Sequence, residues 1–350
     1  MRLFGLLLPL VLLLFFTGCA PKKSSFEFSQ GEFVQSSWDA LYIDEAELEL
    51  FFESFNRSCH THALTREYCG IATLEEFQEA FVPMLVHGSK DMGGFMTGYY
   101  EPMLYGSRVQ SQKYYYPIYE RPSDMYTVDL GSIYSDLNNY RLRGRIEGNK
   151  IVPYYSAQEI RQGKVDAKVI AYVDSIVDAF FLHIQGSGKV TLDSGEVINV
   201  GYADQNGHRY YAIGRYMYQQ GYLQEVSMQT IRQFLEKNPD KINHILAQNH
   251  SYVFFTEKNQ GATGALGIEL VPNASVAVDR RFIPLAMPLY IKSEHPQVHN
   301  LVVAQDVGGA IRGEGRVDYF FGSSEEGVEL AGQMKEPIEL YMFVPRDIFD

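Results

Sequence analysis

The sequence predicts a mainly β protein with some α-helix, ending in a small closed barrel. From about Phe254 onward, short apolar runs (Ser275–Val278, Pro288–Lys292, 301–304 and 338–344) alternate with Gly-rich turns, and helical periodicity is almost absent. The 350 residues include 30 Gly, 14 Pro and 14% aromatics, a loop-rich and β-prone composition. At about 100–200 residues per domain, that length predicts two domains, each able to bury a core.

The chain opens with Met1-Arg2, an apolar run from Leu3 to Phe16, and then Thr17-Gly18-Cys19. A spanning helix needs roughly 20 residues, so the run is short for a membrane span and fits the apolar part of an export signal. Small residues ending in Cys resemble a bacterial lipobox, with Phe16 where Leu is usual. Residues 1–18 are therefore expected to be a lipoprotein signal peptide, with Cys19 lipidated and Lys22 to Ser25 as a tether. An uncleaved anchor helix is the competing possibility. Ala20 after the Cys, rather than Asp, resembles the outer-membrane sorting pattern. The expected location is the periplasmic face of a Gram-negative outer membrane, reached through the lipid on Cys19.

Export leaves Cys59 and Cys69 as a pair in an oxidising compartment, which predicts a disulfide. Metal binding is the rival reading, because Cys59-His60-Thr61-His62 precedes Cys69. The spacings typical of structural zinc are missing, so no metal is expected.

Apolar residues at 41, 43, 48, 51, 52 and 55, with acids between them, predict an amphipathic helix over 38–55. Thr73 and Glu76 form a capping box that opens a second helix, running from 74 to about 81 before Pro83. Residues 93–126 are rich in Tyr and Gly with little helical period. Residues 169–184 read as strand material, either two strands or a hairpin, and 197–200 as a further short strand. Helices are expected over 210–220, ended by Gly221, and over Met228–Lys237, stopped by Asn238-Pro239.

Lys plus Arg total 30 against 43 Asp plus Glu, a net charge of −13 that argues against a nucleic-acid partner. There is no Walker loop, dinucleotide fingerprint, His-Glu-x-x-His or Gly-x-Ser-x-Gly. Gly186-Ser187-Gly188 reads as a tight turn, and His183, in a strand-like run, as a core or surface histidine rather than a ligand. No cofactor is expected.

Carboxylate chemistry remains. Asp279 stands at a strand end, Asp306 directly after a β-run, and Asp318 twelve residues later. Glycines at 308, 309, 313 and 315 allow the chain to fold back and bring Asp306 near Asp318. Neighbouring carboxylates raise one another's pKa, as a general acid at neutral pH requires. Acids that cap loops or pair with Arg280, Arg312 and Arg316 are the alternative. Asp306-Val307-Gly308 weakly resembles an aspartic-protease loop, but such enzymes need two.

From about Phe95 to Phe343 the sequence resembles the membrane-bound lytic murein transglycosylase A family. Thr97-Gly98-Tyr99-Tyr100 resembles its Thr-Gly-Tyr-Tyr motif, followed by Tyr116-Pro117-Ile118-Tyr119. Gln185-Gly186-Ser187-Gly188 and Tyr202-Ala203-Asp204-Gln205-Asn206-Gly207-His208 resemble two more. Asn249-His250-Ser251-Tyr252-Val253-Phe254-Phe255 is similar to a fourth, with His250 in place of Pro. Asp279, Asp306 and Asp318 fall on the three aspartates of the family's C-terminal module. Glu101 departs from a small polar residue, and the region before 90 carries no resemblance.

The resemblance implies a double-psi β-barrel domain (19–104 and 257–350), a smaller inserted β-domain (105–256), and a glycan groove between them. It implies cleavage of the β-1,4 bond between N-acetylmuramic acid and N-acetylglucosamine in peptidoglycan, leaving a 1,6-anhydromuramyl end. Asp318 would act first as acid and then as base, with Asp306 hydrogen-bonding to it or keeping it protonated. Thr97, Tyr99 and Gln185 are candidate sugar contacts. Asp279 is placed with the substrate-binding set, in a structural or electrostatic part exercised through Arg280. A water-using glycan hydrolase and a non-catalytic peptidoglycan-binding lipoprotein are the alternatives. A monomer is expected.

Overall fold

The computed structural model describes residues 27–28, 31–137, 140 and 142–349. The expected signal peptide (residues 1–18) and the expected lipidation site, Cys19, lie outside the described residues. No helix among the described residues is long and apolar enough to cross a membrane.

The first part of the chain supplies β1 (Glu27–Phe28), β2 (Gly31–Gln35), α1 (Leu48–Ser58), α2 (Leu74–Ala80), β3 (Phe81–Val86) and β4 (Gly94–Tyr99). The middle supplies β5 (Met103–Ser107), β6 (Tyr116–Tyr119), β7 (Tyr126–Thr127), β8 (Arg143–Glu147), β9 (Lys150–Pro153) and α3 (Ala157–Arg161). It continues with β10 (Val169–Val173), α4 (Ile176–Gln185), β11 (Ser187–Leu192), β12 (Val197–Gln205), α5 (Ile213–Gln219), α6 (Met228–Lys237), α7 (Pro239–Leu246) and β13 (Val253–Lys258). The last part holds β14 (Ser275–Val278), β15 (Pro288–Lys292), β16 (Leu301–Asp306), β17 (Arg316–Phe320), α8 (Glu325–Gln333) and β18 (Lys335–Pro345).

Strands β18-β15-β16-β14-β17-β4 pair in that order, and β4 pairs back to β18, closing a six-strand barrel. Two pairs, β14 with β16 and β17 with β4, are parallel. Strands β3, β2 and β1 extend the sheet outward from β18. The barrel interior is apolar: Met96, Val276, Val302, Val317, Leu340 and Met342 are all fully buried. The middle of the chain builds a second sheet, β13-β12-β11-β5-β10-β6, and a small one, β7-β8-β9. The protein is thus a barrel with a β-domain inserted into it.

The expected domain limits, at 104/105 and 256/257, each fall inside a strand of the second sheet. Because β5 and β13 both pair there, the chain leaves the barrel at Tyr100 to Pro102 and returns after Lys258.

Several local expectations need correction. Residues 38–55 are not one helix: 3-10 turns at Trp38–Ala40 and Glu45–Glu47 precede α1, which starts at Leu48 and runs on to Ser58. The Asp44 side chain caps the second turn by accepting from Ala46 N, which restarts the helical register. Residues 169–184 hold one strand and one helix. Helix α4 is capped by Ser175, which accepts from Asp178 N, and is ended by Gly186 at φ +79°. Val177, Phe180, Phe181 and Leu182 are buried on several sides, so the apolar period that marks a surface helix is lost. His183 therefore lies on a helix, packed 4.1 Å from the Tyr252 ring, where burial pushes it down to about 3. Pro239 does not only stop α6; it starts α7 at a first-turn position that needs no N–H. Helix α8 falls in the tail, where almost no helix is expected. The strand at 197 continues to Gln205, and the helix expected over 210–220 begins at Ile213.

The N-terminal segment buttresses the barrel. Phe77 is fully buried among the rings of Trp38, Phe51, Phe52, Phe55, Phe81 and Phe343, at centroid distances of 4.6 to 6.2 Å. A buried polar cluster fixes α1 to β16: Gln305 Nε2 donates to Ser54 O (2.7 Å) and Ser58 Oγ (3.0 Å), and Ser275 Oγ donates to Gln305 Oε1 (2.6 Å). This cluster anchors the strand end that carries Asp306.

Cys59 and Cys69 are joined by a disulfide, with Cα atoms 5.6 Å apart. Reduction is expected to lower stability by about 2–3 kcal/mol, the chain-entropy value for so short a loop. Denaturant unfolding with and without reductant measures it.

Candidate active site

Strand pairing sets five residues side by side across the outer face of the barrel. Asp306 pairs with Ala277, Ala277 with Asp318, Asp318 with Thr97, and Thr97 with Lys335. Residues directly opposite on paired strands share a face, so the row is continuous over β16, β14, β17, β4 and β18. Between Val276 and Ala277 the β14–β16 register shifts, because Gln305 is an extra residue on β16; this bulge re-aims the end of β16. Asp306 and Asp318 flank Ala277, whose small side chain leaves both carboxyls room.

Asp318 Oδ1 accepts from the Thr97 hydroxyl. That hydroxyl accepts from Arg316 Nη2 at 2.7 Å. A guanidinium only donates, so the Thr97 proton is committed to Asp318. Arg316 is itself fixed by donating to Phe95 O (3.2 Å) and Val317 O, with its guanidinium 5.2 Å over the Phe95 ring. Burial pushes Asp318 up to about 6, against the hydrogen bond from Thr97 and the charge of Arg316.

Asp306 is held differently. Its Oδ1 accepts from Ala265 N (2.9 Å) and Val307 N (2.8 Å), and its Oδ2 from the Tyr99 hydroxyl (3.2 Å). Burial raises it to about 6 against those donors, and the charge of Asp318 raises it further. Tyr99 is raised well above its ordinary value by burial and by both acids, so its phenol keeps its proton. The hydrogen-bond partner of Asp318 is thus Thr97 rather than Asp306, and the two acids interact through charge.

The other expected residues fall nearby in supporting positions. The Asp279 side chain is 1% exposed and paired with Arg281, not Arg280. Its oxygens also accept from Gly313 N (3.0 Å), at a residue whose φ of +109° suits only glycine. The Arg281 guanidinium and the Gly313 amide hold its carboxyl below the usual range despite burial. Asp279 therefore fixes the glycine-rich loop between the two acids. Gln185 Oε1 accepts from Tyr100 N (3.0 Å), which pins the crossover between the domains. Asn206 and Asn249 tie their loops together through backbone contacts to Tyr252, His250, Tyr211 and Ser251.

Sequence reasoning named Arg316 only as an ion-pair partner for the acids and missed its hold on the Thr97 hydroxyl. Its spacing of two from Asp318 puts both side chains on one face of a strand, which was the available signal. It also missed Lys335 and the Ala265 amide, which depend on pairings between distant segments.

A closed six-strand barrel with an inserted β-domain and a row of acids on its outer face defines a double-psi β-barrel protein of the three-aspartate type. Residues 95–256 match the family model described as MltA specific insert domain, and residues 274–344 match the 3D domain. The chain belongs to the membrane-bound lytic murein transglycosylase A family. It is 32% identical over 253 residues to the Escherichia coli K12 protein named membrane-bound lytic murein transglycosylase A, covering 67% of this chain and 61% of that one. To the Buchnera aphidicola homolog it is 30% identical over 252 residues, covering 68% and 62%. The chain thus spans about three fifths of the length of these curated relatives. The crystal structure of MltA from Neisseria gonorrhoeae superposes with a TM-score of 0.80 at 32% identity, covering 93% of this chain and 96% of that one. The E. coli MltA structure with bound chitohexaose gives 0.70 at 25% identity, covering 93% and 96%.

Proposed function

We propose that this protein is a peptidoglycan lytic transglycosylase. It cleaves the β-1,4 bond between N-acetylmuramic acid and N-acetylglucosamine and leaves a 1,6-anhydromuramyl end. The observation that carries this reading is the oriented Asp318 carboxyl, raised to about 6 and held at one oxygen by Thr97. With Oδ1 occupied, Oδ2 is the oxygen that delivers a proton to the departing sugar oxygen. The ionised carboxylate then takes the proton of the muramyl C6 hydroxyl as that oxygen attacks C1, so one residue is acid and then base. Asp306 supplies charge beside it and keeps the first proton in place. Hydrolysis through two separated carboxylates would need a water held by the second acid, whereas Asp306 already accepts from Tyr99 and two backbone amides. Sugar rings are held along the face that carries Thr97 and Tyr99. The likeness to the E. coli MltA structure with bound chitohexaose supports a glycan as the ligand.

The protein acts as a monomer on the periplasmic side of the outer membrane, held by lipid on Cys19. Digestion of purified sacculi followed by mass spectrometry tests the chemistry. Released fragments are expected one water lighter than hydrolysed ends, and hydrolysed ends would exclude the transglycosylase reading.

A further inference from the structure

The row that carries Asp318 continues past Thr97. Lys335 pairs with Thr97, so it projects from the same outer face two strands from the acid, at roughly 10 Å for a strand spacing of about 4.8 Å. There the barrel meets the inserted domain in a cavity of about 370 Å³, lined by Glu225, Ser227, Gln229, Thr230, Gln333 and Lys335.

Two lining groups keep unused capacity. The exposed Lys335 ammonium donates to Val226 O, which occupies one of its three donors, and it enters no ion pair among the described residues. Gln229 Oε1 is buried with no hydrogen-bond partner, while its Nε2 donates to Glu329 O (3.2 Å). A buried acceptor without a donor is costly, so it calls for a bound N–H. Electrostatics gives the lysine a purpose. The chain is at −13 and a wall glycan is itself anionic, so contact needs a cation placed locally on the binding face.

We propose that this cavity receives the carboxylate-bearing branch of the glycan. Lys335 pairs with the carboxylate, and Gln229 Oε1 accepts from an amide N–H. The inference rests on the wall-glycan reading above. The carboxylate has two sources, the lactyl group of the muramyl sugar or the stem peptide attached to it.

Binding is measured on the Asp318→Asn chain, which leaves the glycan uncut. Three ligands are compared: an uncharged N-acetylglucosamine hexamer, peptide-free wall glycan with free lactyl carboxylates, and peptide-bearing glycan. Lys335→Gln keeps a donor for Val226 O without the charge. It is expected to weaken anionic ligands about fivefold, the scale of a partly exposed ion pair, and to leave the hexamer unchanged. Lys335→Arg restores the affinity. Loss on both wall glycans assigns the lactyl group, and loss on the peptide-bearing one alone assigns the peptide. Equal weakening of all three ligands, or of none, overturns the proposal. If the Asp318→Asn chain with Lys335 intact binds none of them, the wall-glycan reading falls instead.

Discussion

Asp318→Asn is expected to lower turnover by about 10²–10⁴, the usual contribution of a general acid, while glycan binding persists. The amide retains the shape and the contact with Thr97 but delivers no proton and accepts none from the C6 hydroxyl. Product release from sacculi by this variant at near-normal rate would remove Asp318 from the role. The same carboxyl sets a pH limit. Asp318 and Asp306 both stand near 6, so kcat/KM is expected to fall as pH rises through about 6 and the acid form is lost. Stability has a matching sign. Between the ordinary value of 3.8 and about 6 the folded chain holds protons that the unfolded chain has released, so stability declines as pH rises across that window. Asp318→Asn removes its share of that decline, and the variant is expected to melt at a higher temperature than the parent at pH 7.5.

Phe77→Ala is expected to cost about 3–5 kcal/mol, the range for emptying a fully buried phenylalanine site. Its ring touches aromatic side chains from α1, β3 and β18 and from the turn at Trp38, so no single neighbour can move in to fill the space. Denaturant unfolding measures the loss. A cost below about 1 kcal/mol would show that the N-terminal segment is not part of the barrel's cooperative unit. The segment matters to the site because α1 holds the strand that ends at Asp306.

Much of the fold was legible where local chemistry speaks for itself. The Thr73–Glu76 capping box marks α2, and the alternation of apolar runs with glycine marks β14 and β15. Helix α4 was hidden because burial on several sides erased its period, although Ser175 and Gly186 were both present as caps. Helix α8 was hidden by its two glycines. Gly327 is required because a Cβ there would come within 2.4 Å of Phe321 O, a tertiary constraint that carries no local pattern. At the site, the three aspartates stood out by type and spacing. Their division of labour did not, because Asp279 spends its charge on Arg281 and Gly313 while Asp318 is governed by Thr97, more than 200 residues away.

The sequence by itself determined which residues can do chemistry and which family they belong to, because residue type and short spacing survive without a fold. It also determined the cysteine pair, close enough in the chain to meet through a local loop. Tertiary structure decided which acid is raised, which is neutralised and which cation lies beside them. Those properties depend on burial and on lateral strand register. The row from Asp306 to Lys335 draws on β16, β14, β17, β4 and β18, and only barrel closure brings them side by side.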